Sequence, residues 1–229
     1  MLVKLVFEIA SYNSLIIYFG EKIDPSISKE VQKAYLALKE AEMEGIFEII
    51  PSYASLMVTY DILKYDYAAV CKEVKRLIKN AKPLDVTHQK IVTIPTYYGV
   101  EVGLDLEGVA EEKKMSIEEI IALHVQVDYF VYAIGFAPGF AYLGQTHESL
   151  STSRLSSPRR GVPKGSVAIA DRQTAVYPSL SPGGWKILGR TPTPMFDASY
   201  EGLSLLHVGN IVRFESISKE TFLKLGGLL

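Results

Sequence analysis

Cysteine is almost missing from this chain of 229 residues: there is one, Cys71. A lone thiol closes no internal disulfide and builds no cysteine metal cluster, and its setting between Val70 and Lys72 reads as an ordinary helix position. Histidine is sparse too. His88, His124, His147 and His207 are scattered without metal-ligand spacing, so no zinc site is expected. No GxxxxGK[ST] phosphate loop occurs; the nearest segment, Gly161–Ser166, contains Pro163, which has no amide to offer a phosphate. No acidic cluster suited to Mg²⁺ stands out, and there is no Met-Lys-Met for biotin attachment. Charge of either sign is not in excess. The formal net charge is −2 and the pI about 6.1, which argues against a general nucleic-acid binder. No basic segment followed by an apolar run and a small-residue cleavage site opens the chain, so the expectation is a cytoplasmic protein. The uncharged run Tyr129–Thr146 is long enough to raise the question of a membrane. Its three glycines, Pro138, Gln145 and Thr146 make it read as a buried strand and loop instead.

What is present suits a globular protein of one large or two small domains, with 48% hydrophobic and 22% charged residues. Glycine and proline are unevenly spread. Residues 135–197 hold 8 of the 17 glycines and 7 of the 11 prolines, and carry seven basic against three acidic side chains. That segment is +4 and the remainder −6. A turn-rich, locally basic stretch in an acidic chain is the natural place for an anionic ligand.

Along the chain, Leu2–Ile9 and Ser14–Phe19 have strand composition. Ser26 or Ser28 can cap a helix running to about Met43, with Ile27, Val31, Ala34, Tyr35, Leu38 and Ala41 at helical spacing. Phe47–Ile50 and Ser55–Tyr60 read as strands, and Asp66 can cap a second helix bearing Ala69, Val70, Val74, Leu77 and Ile78. The order β-β-α-β-β-α, closed by a further strand, predicts a small α+β domain of split βαβ type over residues 1–84. Residues 85–229 form the second domain. Val86–Pro95 opens it as an alternating strand, and Leu104–Ala110 is a short helix. Ser116 and Glu119 form a capping box for a helix ending at His124. Short strands between Gly/Pro turns then suggest a barrel or sandwich: Gln126–Ile134, Val162–Ala170, Thr174–Tyr177, Gly184–Leu188 and Asn210–Glu215. A short helix is expected within Ser218–Leu229.

An ordered set of motifs resembles the KipI family, also called allophanate hydrolase subunit 1 and PxpB, a 5-oxoprolinase subunit. They are Ile94-Pro-x-Tyr-Tyr-Gly99, Asp105-Leu106, His124, Gly135-Phe-Ala-Pro-Gly-Phe-x-Tyr-Leu-Gly144, Ser157-Pro-Arg159 and Val162-Pro-x-Gly-Ser-Val-x-Ile-Ala170. Then come Gln173-Thr174, Val176-Tyr-Pro178, Ser181-Pro-Gly-Gly-Trp185, Gly189-Arg-Thr-Pro192 and Phe196-Asp197. The resemblance implies a ferredoxin-like N-terminal domain and a cyclophilin-like β-barrel. It also implies partners, a KipA/PxpC-like and a PxpA-like subunit, that together open 5-oxoproline to L-glutamate with ATP and Mg²⁺ at the level of the complex and none held tightly by this chain. One member of the family inhibits a sporulation histidine kinase, which makes a kinase-docking regulator the rival reading. Urea or allophanate amidolytic or carboxyl-transfer work is a third. The chain departs from the family at Ala170-Asp-Arg-Gln-Thr-Ala175, where glycines are usual at 171, 172 and 175, at Val100, and at Thr152-Ser-Arg-Leu155, where Thr-Pro-Arg-Arg is usual.

Opening an unstrained lactam needs cations for phosphate, donors for a carboxylate and a base for water. His124 is the candidate base or anion donor at the barrel mouth; the alternative is a helix-end histidine charged by the helix dipole. Arg159 is the second catalytic candidate, and with Arg154 and Arg160 it could clamp a carboxylate or phosphate; the alternative, favoured for Arg154, is a solvated basic loop or an interface to the partner subunit. Candidate substrate-binding residues are Gly135, Pro138, Gly139 and Phe140 of the turn, Gln173 and Thr174 toward a lactam, Trp185 as a stacking wall, and Asp197. Each has an ordinary counterpart: a subunit seam, a strand-end turn, a core tryptophan and a turn aspartate.

Overall fold

The computed structural model describes residues 5–82 and 90–229. The start of the strand expected at Leu2–Ile9, and His88 with the start of the one expected at Val86–Pro95, lie outside the described residues. The chain divides into two compact units, Met1–His88 and Gln89–Leu229.

The first unit contains β1 (Val6–Ser11), β2 (Ser14–Tyr18), α1 (Pro25–Glu40), β3 (Ile46–Pro51), β4 (Ser55–Tyr60) and α2 (Tyr67–Lys79). Its strands form an antiparallel sheet in the order β1-β2-β4-β3. Alternation along β2 and β4 puts Leu15, Ile17, Leu56, Val58 and Tyr60 on one face. There they meet the helical stripes Val31, Ala34, Leu38 and Val70, Cys71, Val74. Among the described residues no further strand closes this sheet, whose edges are β1 and β3, and β5 (Ile91–Thr96) joins the other unit's sheet. The cap of α1 is also corrected. Asp24 accepts from the Ser26 amide at 2.7 Å, and Pro25 takes the first helical position, where a missing N–H costs nothing. Asp66 caps α2 as expected, accepting from the Ala69 amide at 2.7 Å.

The second unit continues with α3 (Leu106–Lys113), α4 (Ile117–Val125), β6 (Asp128–Ile134), β7 (Ala141–Gly144), β8 (Arg159–Val162), β9 (Ser166–Ala170) and β10 (Gln173–Val176). It ends with β11 (Ser181–Gly183), β12 (Lys186–Arg190), β13 (Ile211–Ser216) and α5 (Lys219–Lys224). Seven strands pair in the order β12-β9-β10-β7-β6-β13-β5, and β8 pairs with β11 separately. The two edge strands of the large sheet nearly meet. Tyr97, just past β5, and Arg190, at the end of β12, exchange two backbone hydrogen bonds of 2.8 Å. The sheet is therefore a nearly closed barrel, filled by Val92, Ile94, Tyr129, Val131, Leu143, Val167, Val176, Val212 and Phe214. Closure depends on Gly189, because a Cβ there would lie 2.5 Å from the Tyr97 carbonyl oxygen.

The sequence expectations differ from this unit in three places. The run Val162–Ala170 is two strands, broken at Pro163-Lys164-Gly165. The short β7 and β11 fall inside Gly/Pro-rich segments that read as turns. The turn between β9 and β10 explains the departure at Asp171, the first of two loop residues, with φ +52°. Glycine there serves the mirror-type hairpin turn, and aspartate tolerates that backbone better than most residues. The capping box of α4 is present as expected: Ser116 Oγ accepts from the Glu119 amide at 3.1 Å, and the Glu119 carboxylate accepts from the Ser116 amide at 2.7 Å. No helix among the described residues is long and apolar enough to cross a membrane.

Candidate functional site

Two faces of the barrel wall separate the candidate residues, and the period of two along β10 decides which goes where. Thr174 points inward with Val176, whereas Gln173 shares the outer face with Ala175, under the aromatic group of Phe140, Tyr177 and Trp185.

The inward set is a sealed polar chain. His124, from the last turn of α4, is fully buried. Its Nδ1 lies 2.7 Å from the Tyr98 hydroxyl and its Nε2 2.9 Å from Thr174 Oγ1. Thr174 spends its single proton on the Ala168 carbonyl oxygen at 3.1 Å. Its oxygen must then accept from Nε2–H, which leaves Nδ1 to accept from Tyr98 O–H. Burial pushes the His124 pKa down to about 3 and the Tyr98 pKa well up. The ring is a neutral imidazole with both nitrogens bonded, packed against Phe214 at 4.7 Å and Tyr129 at 5.4 Å between ring centroids. Neither expectation for His124 holds in this structure: it stands in the barrel interior rather than at its mouth, and it is not a dipole-stabilised cation. Its proton-accepting nitrogen is occupied by a tyrosine from the same core.

The outer set begins at the turn leaving β6. The Gly135 amide donates to the Phe140 carbonyl oxygen at 3.0 Å, and the Phe140 amide to that of Ala137 at 2.9 Å. Gly139 takes φ +82°, and a Cβ on it would lie 2.7 Å from the Met195 carbonyl oxygen, so only glycine seats this turn on the 195–196 loop. Gly135 has open space where a Cβ would stand, and Pro138 is exposed. The turn inserts Phe140 into an edge-to-face array with Phe136, Tyr142, Tyr177 and Trp185, at centroid distances of 4.9 to 6.0 Å. Phe136, at φ +73°, is largely exposed; Trp185 is almost wholly buried. Over Trp185 lies the guanidinium of Arg154, 5.8 Å from the ring centroid. A guanidinium at this distance over an indole gains a cation–π contact.

Arg159 is committed elsewhere. Nη1 and Nη2 reach the two carboxylate oxygens of Asp105 at 2.9 and 2.7 Å. Asp105 precedes α3 without capping it. Its carboxylate also accepts from the Ile187 amide at 2.7 Å, and its own amide donates to the Ile187 carbonyl oxygen at 2.9 Å. Arg159 therefore braces β8 to the start of α3 and to β12. Arg160 is exposed on β8. Asp197 closes its own turn, accepting from the Ser199 amide at 2.7 Å and from the Ser199 hydroxyl at 2.5 Å; the Ser199 hydroxyl foremost holds its carboxyl below the usual range. Phe140 and Trp185 are thus brought together with Arg154. His124 and Thr174 form a separate inner set, and Arg159 and Asp197 are tied into local braces.

A family model described as "Carboxyltransferase domain, subdomain C and D" matches residues 5–206. The B-type subunit of 5-oxoprolinase from Bacillus subtilis (strain 168) is 37% identical over 233 residues, 97% of each chain. The chain belongs to the PxpB/KipI family. Its fold also matches the crystal structure of TTHA0988, at TM-score 0.80 and 33% identity, over 90% of this chain but 40% of that one. Urea carboxylase of Kluyveromyces lactis matches at TM-score 0.76 over 96% of this chain and 22% of its own; at 16% identity this is a likeness of fold.

Within this PxpB/KipI chain, sequence reasoning passes over several residues the structure brings forward. Asp105 is visible only as part of a motif, although an aspartate just before a helix that it does not cap must be engaged elsewhere. Tyr98 and Tyr177 are likewise motif letters without a role. Glu112 carries no signal at all, Lys186 only its place in the basic segment, and Thr152 only its place in a family motif. Lys186 donates to the Glu112 carboxylate and to Thr152 Oγ1 (2.7 Å), and Thr152 Oγ1 donates to Glu112 at 2.8 Å. The Lys186 contact, ahead of Thr152, holds the Glu112 pKa at about 2.

Proposed function

We propose that this chain is the B-type component of an ATP-dependent 5-oxoprolinase, an amide-opening hydrolase complex that converts 5-oxoproline to L-glutamate. It would work with KipA/PxpC-like and PxpA-like chains. The observation that carries the reading is the 37% identity to the Bacillus subtilis protein across 97% of both chains. In the same reading, the second unit is a cyclophilin-like barrel. The first is a ferredoxin-like sheet whose edge strand comes from the start of the unit.

The chemistry is divided among subunits. An amide carbonyl is a poor electrophile, and ATP, bound elsewhere in the complex, would supply the activation that lets water open the ring. No nucleotide site is assigned to this chain. Pro163 interrupts Gly161–Ser166, the segment nearest to a phosphate loop, and among the described residues no three His, Cys, Asp or Glu side chains stand together to hold a metal. No step through ATP is therefore assigned to this chain. Asp105 is paired with Arg159 and His124 is enclosed, so no general base is assigned to this chain. What this face supplies is binding: Arg154, over the Trp185 ring, receives the substrate carboxylate, and the turn Gly135–Phe140 shapes the surface beside it.

Co-expression of the chain with its partner subunits should give 5-oxoproline-dependent glutamate release that is lost when this chain is omitted; full activity without it would sink the proposal. In the complete complex, Arg154→Gln should raise KM about tenfold with a smaller change in kcat, as expected for loss of one charge-assisted contact. Inhibition of a histidine kinase by the isolated chain, with no effect on glutamate release, would favour the regulatory reading instead.

A further inference from the structure

Two sequence motifs meet where β9 pairs with β12: the one containing Ser166 and the one containing Arg190. They place two buried polar side chains side by side. Arg190 of β12 and Ser166 of β9 are register partners across the antiparallel pair, so both side chains leave the same face of the sheet. Ser166 is fully buried and its Oγ has no hydrogen-bond partner. Arg190 is 9% exposed and its Nε has none either. The Arg190 head group makes one bond, Nη1 to the Leu228 carbonyl oxygen at 2.9 Å, and enters no ion pair among the described residues.

A guanidinium whose Nε is buried without a partner and whose head meets one neutral carbonyl is short of counter-charge. Burying an uncompensated ion is among the costlier arrangements a protein can hold. Burial is indeed the cause that draws the Arg190 pKa below its ordinary value. The free groups also have a pattern. Nε–H and the serine O–H are both donors, and together with the positive charge they suit an acceptor-only group with at least two oxygens. The neighbouring backbone is close: a Cβ on Gly165 would stand 3.3 Å from Arg190 Cγ and 2.3 Å from the Thr191 carbonyl oxygen. Glycine there leaves room beside the arginine stem.

We propose that Arg190 and Ser166 form a binding site for a small oxyanion, a carboxylate or a phosphate, at the seam of the barrel. The small exposed fraction of Arg190 favours a free small anion over a side chain presented by another protein. This assignment does not depend on whether the chain acts on 5-oxoproline.

The test compares thermal unfolding of the purified full chain in chloride, acetate and inorganic phosphate at matched ionic strength, for the wild type, Ser166→Ala and Arg190→Lys. In the wild type, Tm should rise with phosphate or acetate concentration beyond any change in chloride. A response to phosphate alone assigns a phosphate site, and one to acetate alone a carboxylate site. Ser166→Ala should need about 3- to 10-fold more anion for the same shift, the loss of one hydrogen bond to a charged group. Arg190→Lys should weaken the response by more than about tenfold, because a lysine cannot reproduce the Nε donor. If Arg190→Lys does not fold, Ser166→Ala decides, since it exchanges a hydroxyl for hydrogen without changing the backbone. Equal anion shifts in wild type and Ser166→Ala, or no shift beyond chloride, would mean the two groups are met by water, and the proposal is overturned.

Discussion

His124 shows at the scale of one residue how strongly burial outweighs position. A histidine in the last turn of a helix should gain charge from the dipole, yet here desolvation dominates and lowers its pKa to about 3. A histidine whose folded pKa lies below its unfolded value binds protons more readily once unfolded. Its contribution is thus complete above about pH 6.5 and is lost as pH falls from there toward 3. Glu112, held at about 2 chiefly by Lys186, acts in a lower window, its contribution fading as pH drops below about 4.5. Urea unfolding between pH 7 and 4.5 should therefore show stability falling with a slope that His124→Phe reduces by up to about one proton. The same variant should cost about 2–4 kcal/mol at pH 7, because Tyr98 and Thr174 lose their partner. An unchanged slope in the variant would remove His124 from the titration. The residue types around it are legible in the sequence: Tyr98, His124 and Thr174 each fall in a motif. Their meeting is not legible, because it depends on which way β10 faces, and a shift of one residue would send Thr174 outward and Gln173 in.

At the scale of elements, the helices are more legible than the strands. Asp66, Ser116 and Ser218 each cap a helix through a local hydrogen bond that spacing alone can foresee. β7 and β11 escape such reading because four and three residues between glycines carry too little alternation to signal a strand. The attachment of α3 lies beyond local patterns, since Asp105 contacts Arg159 and Ile187, 54 and 82 residues away. Asp105→Asn should lower stability by about 1–3 kcal/mol, discounted for the partial exposure of the pair. Double-mutant analysis with Arg159→Met by chemical denaturation should find a coupling of about 1 kcal/mol. Strict additivity of the two substitutions would show that the pair does not act as a brace.

For the whole molecule, two units and a barrel follow from the order of elements. The closure of that barrel follows from a single residue without a side chain. Gly189→Ala places a methyl 2.5 Å from the Tyr97 carbonyl oxygen, against backbone that cannot rotate away. It should cost about 1–3 kcal/mol, read as a fall in Tm. Gly108→Ala, in open space within α3, should be neutral or stabilising by up to about 1 kcal/mol; similar losses in both would mean the seam has no special demand for glycine. Gly189 is visible in the sequence as a motif letter, but nothing local marks it as the place where strands nearly 100 residues apart must touch.

The seam also has a dynamic consequence. Each strand within the seven-stranded sheet is zipped to a neighbour along its length, whereas β5 and β12 are joined across the gap by the Tyr97–Arg190 bridge. A cylinder built that way breathes at its latch. In native-state hydrogen exchange, the amides of Tyr97 and Arg190 should be released by a local opening of lower free energy than those of the central strands β7 and β10. Such an opening would uncover the arginine from its tucked position without unravelling the barrel, so that the same two hydrogen bonds that shut the wall also set how often Arg190 meets solvent.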